Sequence, residues 1–237
     1  MVLNSLLILL LLIQPAHATT WRHGYVDYTK DSSCVGAWRF NDDLHTTAID
    51  ISGTGNNGVV TSATYGSGKE GNGWNFNAGA DVIEIPDDAT LDTVTDLTIV
   101  CWVKSDGAWS TGESFVRKDG MYICRKGRNP GTDDNNVAII WFDGARVRYV
   151  QTSADPPTDT WFHIAFQAQS NAPYKVYING VDSGGANTDW FGSARTLTNS
   201  LKFSTAEPFD GDLDEVAIFN RVLTQAEIID IMNNGLK

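Results

Sequence analysis

The chain has 237 residues, with 29 Asp and Glu against 17 Lys and Arg and a formal net charge of −12. That charge argues against a nucleic-acid backbone or an anionic membrane surface as partner, since both carry the same sign. The 22 glycines and the excess of Asp over Glu describe a loop-rich β protein, long enough for one sandwich domain with a sizeable core.

The first residues read as a signal peptide, 1–18. Leu6 to Ile13 is an unbroken apolar run, Pro15 ends it, and Ala16-His17-Ala18 is a small-x-small cleavage site before Thr19. The run is far short of the ~20 residues of a spanning helix. An uncleaved anchor is the alternative, because no Lys or Arg precedes the run. The mature chain is expected to be secreted or extracellular, with no membrane insertion. Residues 19–34 are polar and mixed, an N-terminal arm, and 35–237 form the domain.

Val35 to Phe40 is the first strand, followed by Asn41-Asp42-Asp43 and a glycine-asparagine loop from Asp50 to Gly58. Gly71 to Phe76 and Asp81 to Pro86 are short strands. Leu97 to Lys104 is apolar on both faces and so a central strand. Asp119-Gly120, Asp143-Gly144 and Asn179-Gly180 are hairpin turns of the type that needs positive φ at both central residues. Trp161 to Gln167 and Leu201 to Ser204 are further strands.

The last strand, Leu213 to Phe219, is read with Leu213, Ala217 and Phe219 on one face and Asp214, Val216 and Ile218 on the other. Asp214 is out of place among packing residues. Thr224 and Glu227 then form a capping box, with Leu223 and Ile228 as a hydrophobic staple and Gly235 closing the helix. Its buried face is expected from Ile228, Ile229 and Met232.

Taken in order, several segments resemble the laminin-G-like, concanavalin A-like lectin and glucanase domains. They are Trp38-Arg39-Phe40, Asp50 to Asn56, Ile85-Pro86-Asp87, Leu97 to Lys104, Trp161 to Gln167 and the Asp214-Glu215 strand with its helix. The resemblance spans Val35 to Gly235. It implies an all-β fold: a two-sheet antiparallel jelly-roll sandwich with a short C-terminal helix. It also implies a structural Ca2+ between the end of the first strand and the last strand. Asp214 is the matching carboxylate, and Asn41 stands where the family has Asp, with Asp42 beside it. Calcium accepts carboxylate, amide and carbonyl oxygens alike, but the loss of one carboxylate lowers the charge at the site. The alternative is that Asp214 only accepts backbone amides of a neighbouring turn.

Other chemistry is thinner. Related glucanases carry two Glu around an Asp on one strand, and Glu70, Glu84, Glu113, Glu207, Glu215 and Glu227 are too scattered for that. Hydrolysis would need an unrecognised Asp pair at the separations glycosidases use. His163 alternates with Trp161 and Ala165 and reads as a packed strand residue. Cys101 and Cys124 are a possible disulfide with Cys34 free; three buried thiols are the alternative. Trp38, Trp102 and Trp161 lie in strands and are assigned to the core. Loop aromatics offer flat faces to sugar rings, with polar groups to orient them. Trp190 is the first choice and Trp109 the second, with Asp133, Asp134, Asn135 and Asn136 as polar partners. The expected role is non-catalytic recognition of a glycan or an extracellular protein. A structural subunit of an extracellular or virion assembly, with self-association, and a glycan-active hydrolase are the rivals.

Overall fold

The computed structural model describes residues 26–237 except 43, 78, 94, 108–111, 128–135, 144–145, 171, 185–195 and 205–206. The signal peptide and the binding candidates Trp109, Asp133, Asp134, Asn135 and Trp190 lie outside the described residues.

The early strands are β1 (Cys34–Trp38), β2 (Thr47–Ala48), β3 (Gly58–Thr61), β4 (Thr64–Ser67), β5 (Asn72–Asn77) and β6 (Val82–Ile85). The middle strands are β7 (Asp96–Ser105), β8 (Ser114–Lys118), β9 (Tyr122–Lys126), β10 (Val137–Asp143) and β11 (Arg146–Gln151). The late strands are β12 (Phe162–Gln169), β13 (Lys175–Ile178), β14 (Val181–Asp182), β15 (Leu201–Phe203) and β16 (Asp210–Phe219), and helix α1 (Gln225–Asn234) follows. They form two antiparallel eight-stranded sheets. The first runs β14-β13-β12-β7-β16-β5-β4, with β1 also on β16; the second runs β11-β10-β9-β8-β15-β6-β3-β2. This is the expected jelly-roll sandwich.

The main core lies between the sheets and includes Trp38, Trp74, Phe76, Phe115, Trp141 and Phe166. A second cluster lies outside the first sheet, where Val100, Ala165, Ala217 and Phe219 meet Leu223, Ile228 and Ile231. Helix α1 therefore roofs one end of the first sheet. Its capping box is formed as expected, and Leu223 and Ile228 are both buried. Ile231, not Ile229, completes the buried face; Ile229 is exposed.

The expected loose arm is docked from Asp27 onward. Tyr28 is buried, its backbone N–H donates to Leu236 O at 2.9 Å and its hydroxyl to Asp230 at 2.9 Å. β2, β3 and β4 were not legible in the sequence, because short strands rich in Gly, Ser and Thr look like the loops around them. Asn179 and Gly180 both take positive φ as expected, but at Asp119-Gly120 only Gly120 does.

β16 departs from simple alternation. Glu215 has φ 48°, and the pairing with β7 skips between Asp214 and Ala217. This bulge shifts the pleat by one residue. Leu213 therefore joins Val216 and Ile218 in the main core, and Asp214 points to the outer face. The bulge sits where β16 changes neighbours, from β5 at Asp210–Leu213 to β1 at Val216–Phe219.

All three cysteines are buried free thiols. The Cys101–Cys124 pairing is not made: Cys101 on β7 of the first sheet and Cys124 on β9 of the second both face the main core, and each remains a free thiol.

Candidate functional site

The first location of interest is the β16 bulge. β1 ends in a turn at Phe40, whose φ of 57° is rare for an aromatic residue and aims its ring into the core. Asn41 then reaches the β4–β5 hairpin, where its Oδ1 accepts the Asn72 N–H at 2.8 Å. Asp214 reaches the same hairpin from below, and its Oδ2 accepts the Glu70 N–H at 2.8 Å. The close approach needs two glycines. A Cβ on Gly68 would sit 2.6 Å from Asp214 Oδ2, and one on Gly71 would sit 2.2 Å from Asn41 Oδ1. The hairpin lies over the sheet, with Lys69 Nζ 4.4 Å from the Trp102 ring centroid.

Asp214 is fully buried, and burial pushes its carboxyl up to about 7, against the backbone amides of Glu70, Glu215 and Lys69 that favour the charged form. The nearby Arg39 guanidinium is taken by Glu215 at 3.1 Å. Two of the three residues expected to hold calcium, Asp214 and Asn41, thus bond the same hairpin. The Asp42 carboxylate instead accepts the Leu44 N–H at 3.1 Å. A carboxylate and an amide oxygen are donor types that calcium accepts, and here both already accept backbone N–H groups. Among the described residues no group of three or more His, Cys, Asp or Glu is placed to hold a metal.

Beside this hairpin, His163 is fully buried and meets Trp102 edge-on, with centroids 5.4 Å apart. Neither ring nitrogen has a hydrogen-bond partner, and burial lowers its pKa to about 3. It is a packed residue, as expected, but on the outer face. Trp102 is on that face too, opposite Asp214 in the β16–β7 ladder, and not between the sheets. Trp161 is only half-buried and belongs to neither cluster, so its assignment to the core does not hold.

The Asp50 motif is a structural clamp. The buried Asp50 carboxylate accepts N–H groups from Ala37, Ser52 and Asn56. Burial opposes ionisation, but these bonds outweigh it and hold the carboxyl below its usual range.

The second location is a cleft of about 280 Å³ on the outer face of the second sheet. Lys202 on β15 lies opposite Arg117 on β8 and Glu84 on β6, so all three project outward together. Gly79, Ala80 and Val82 form a ledge with little side chain, and Asp119 stands at the turn after β8. Arg117 donates from Nε to Asp119 at 2.5 Å and from Nη1 to Glu207 at 2.8 Å. Arg125 also approaches Glu207, at 3.3 Å. Asp81 is turned back to accept the Asn77 N–H at 2.8 Å. Glu84 accepts the Ser200 hydroxyl at 2.6 Å and lies 3.5 Å from Lys202; the hydroxyl and the ammonium together lower its pKa. Each carboxylate here is tied to a named donor. None of these residues stood out in the sequence; the only signal was charge alternating with Val116, Leu201 and Phe203 in short strands.

The two stacked antiparallel sheets define a jelly-roll sandwich, with a polar cleft on one outer face. The profile of the concanavalin A-like lectin/glucanases superfamily, in its laminin-G form, matches residues 76–229, and the chain belongs to that superfamily. No match was found among curated protein sequences. Domain 4 of an extracellular arabinanase from Geobacillus stearothermophilus, in complex with arabinotriose, is similar in structure. Its TM-score is 0.65 at 23% identity, over 84% of this chain and 98% of that domain. The binding domain of Paraclostridial Mosquitocidal Protein 1 gives a TM-score of 0.69 at 16% identity, over 86% of this chain and 52% of that one. A structure of botulinum neurotoxin type C, described as dependent on two ganglioside molecules for cell entry, gives 0.63 at 12% identity over 86% of this chain and 51% of that one. The chain thus spans about half the length of the toxin chains it matches. Among the described residues, no helix is long and apolar enough to cross a membrane.

Proposed function

We propose that the chain is an exported, non-catalytic recognition domain that binds a glycan in the cleft of the second sheet. One observation carries this reading: donors and an acceptor converge over a nearly bare ledge while every carboxylate is already engaged. Arg117 and Lys202 supply N–H groups, Asp119 supplies oxygens, and the Gly79-Ala80 ledge lets a sugar ring approach closely. A general acid needs a carboxyl held protonated near neutral pH, and Glu84, with its lowered pKa, is the opposite. The superfamily supports the reading, as do neighbours described with arabinotriose and with gangliosides.

A calcium ion held by Asp214 and Asn41 is proposed as an accessory. It would neutralise the buried carboxylate and fix the β4–β5 hairpin, and has no part in the cleft.

A glycan array probed with the wild type and with Lys202→Ala tests the site. Loss of the bound signals in the variant is expected. Release of reducing ends from a bound polysaccharide would replace the binding reading with a hydrolytic one.

A further inference from the structure

We infer that the outer face of the first sheet carries a second glycan subsite, built on Trp161, that takes a neutral oligosaccharide. The inference rests on the glycan reading above but concerns the opposite side of the sandwich. Trp161 immediately precedes β12 and so lies beside Lys104, since Phe162 pairs with Val103. The indole is partly exposed and outside both apolar clusters. Lys104 Nζ is 5.9 Å from its ring centroid, at the limit of a cation–π contact.

A polar row continues from Lys104 across the neighbouring strands. Asp212 of β16 pairs with Lys104 on one side and with Asn75 of β5 on the other. Lys104 Nζ donates to Asp212 Oδ2 at 2.6 Å, and Asn75 Nδ2 donates to Asp212 Oδ1 and to Asp106 Oδ2, both at 3.0 Å. These bonds hold the side chains in place before any ligand arrives, so little rotamer entropy remains to be lost on binding. Lys104 and Asp106 keep 29% and 40% of their side-chain surface exposed, which leaves donors and acceptors for a ligand. An aromatic face beside fixed carboxylate, amide and ammonium groups matches the alternating C–H and hydroxyl surfaces of a sugar. Two carboxylates against one ammonium disfavour an acidic sugar, and the chain's charge of −12 adds to that. With the cleft on the other sheet, one chain would hold two saccharide segments back to back.

Isothermal titration with arabinotriose and a panel of neutral oligosaccharides, chosen from array hits, tests this. The wild type should bind two equivalents. Trp161→Ala should remove one, and Arg117→Ala the other. Trp161→Phe keeps an aromatic face and should retain binding, about tenfold weaker at most, while losing the ligand-induced change in tryptophan fluorescence. Near-ultraviolet circular dichroism of each variant checks folding. One equivalent in the wild type that survives Trp161→Ala overturns the inference and leaves the cleft reading intact. A wild type that binds no glycan on the panel overturns both.

Discussion

On the first sheet, the part of the outer face covered by the β4–β5 hairpin and helix α1 buries ionisable groups with little compensation. His163 has no partner for either nitrogen, and Asp214 has backbone amides but no cation. On the second sheet, the corresponding surface stays wet, and Arg117, Lys202, Glu84 and Glu207 neutralise one another in water. Desolvation is costly for an uncompensated charge, while exposed pairs are worth about 0–1 kcal/mol each. Stability and its pH dependence should therefore reside in the roofed part of the first sheet, and recognition in the open surfaces, the cleft of the second sheet and the uncovered row beside Trp161.

The largest effect should come from the roof itself. Ile228 is fully buried against the sheet, whereas Ile229, one residue on, is exposed. Ile228→Ala should cost about 2–5 kcal/mol, the range for a buried aliphatic truncation. Ile229→Ala should change stability by no more than ~0.5 kcal/mol. Urea denaturation midpoints check both, and equal losses would mean that the helix is docked otherwise.

Calcium comes next. An ion that binds only the folded chain adds ~2.7 kcal/mol at a hundred times its dissociation constant. The melting temperature is expected to fall with chelator and recover with Ca2+, and Asp214→Asn should remove the difference. A wild-type melt indifferent to chelator would leave Asp214 as a hairpin clasp and nothing more.

How far these residues could be read in advance depended on whether their neighbours were local. The helix cap, the central strand and the sandwich class follow from short-range pattern, and they hold. Asp214 was visible as an intruder in an apolar strand, but its direction depended on the bulge at Glu215, which no side-chain pattern announces. Trp161 alternates correctly with His163, yet which face of β12 is the core depends on which sheet is stacked on it. Tyr28 looked loose because its partners, Asp230 and Leu236, lie some two hundred residues away. The cleft was invisible for the same reason: Gly79, Arg117 and Lys202 come from three parts of the chain that meet only through the sheet order.

The third prediction separates the two buried groups by pH, in chelator. His163 has a folded pKa of about 3 against an ordinary 6.5, so its contribution is full above 6.5 and is lost as pH falls toward 3. Asp214 has a folded pKa of about 7 against 3.8, so its contribution is full below 3.8 and is lost as pH rises through 7. Between about pH 4 and 6.5 the two slopes oppose each other and nearly cancel. Relative to wild type, Asp214→Asn should lose about 1.4 kcal/mol per unit as the pH is lowered through this window. His163→Leu should gain about as much. Parallel stability curves for the wild type and both variants would show that neither group is buried as described.

The smallest effect on stability should belong to Arg117, and that is what makes it the sharpest probe of the open face. Its side chain is 24% exposed, and its partners Asp119 and Glu207 are 50% and 35% exposed. Removing it strands no buried charge, because Asp119 returns to water and Glu207 keeps Arg125. Arg117→Ala should therefore shift the unfolding free energy by less than about 1 kcal/mol. Glycan binding in the cleft should nevertheless fall by about tenfold or more, as when a desolvated anchor is truncated. The two measurements move together only if the guanidinium is a strut for the β8–β15 pairing. In that case Arg117→Ala would approach Ile228→Ala in its cost, and the contrast between a roofed, stabilising surface and the open, recognising cleft would collapse at the residue on which it depends most.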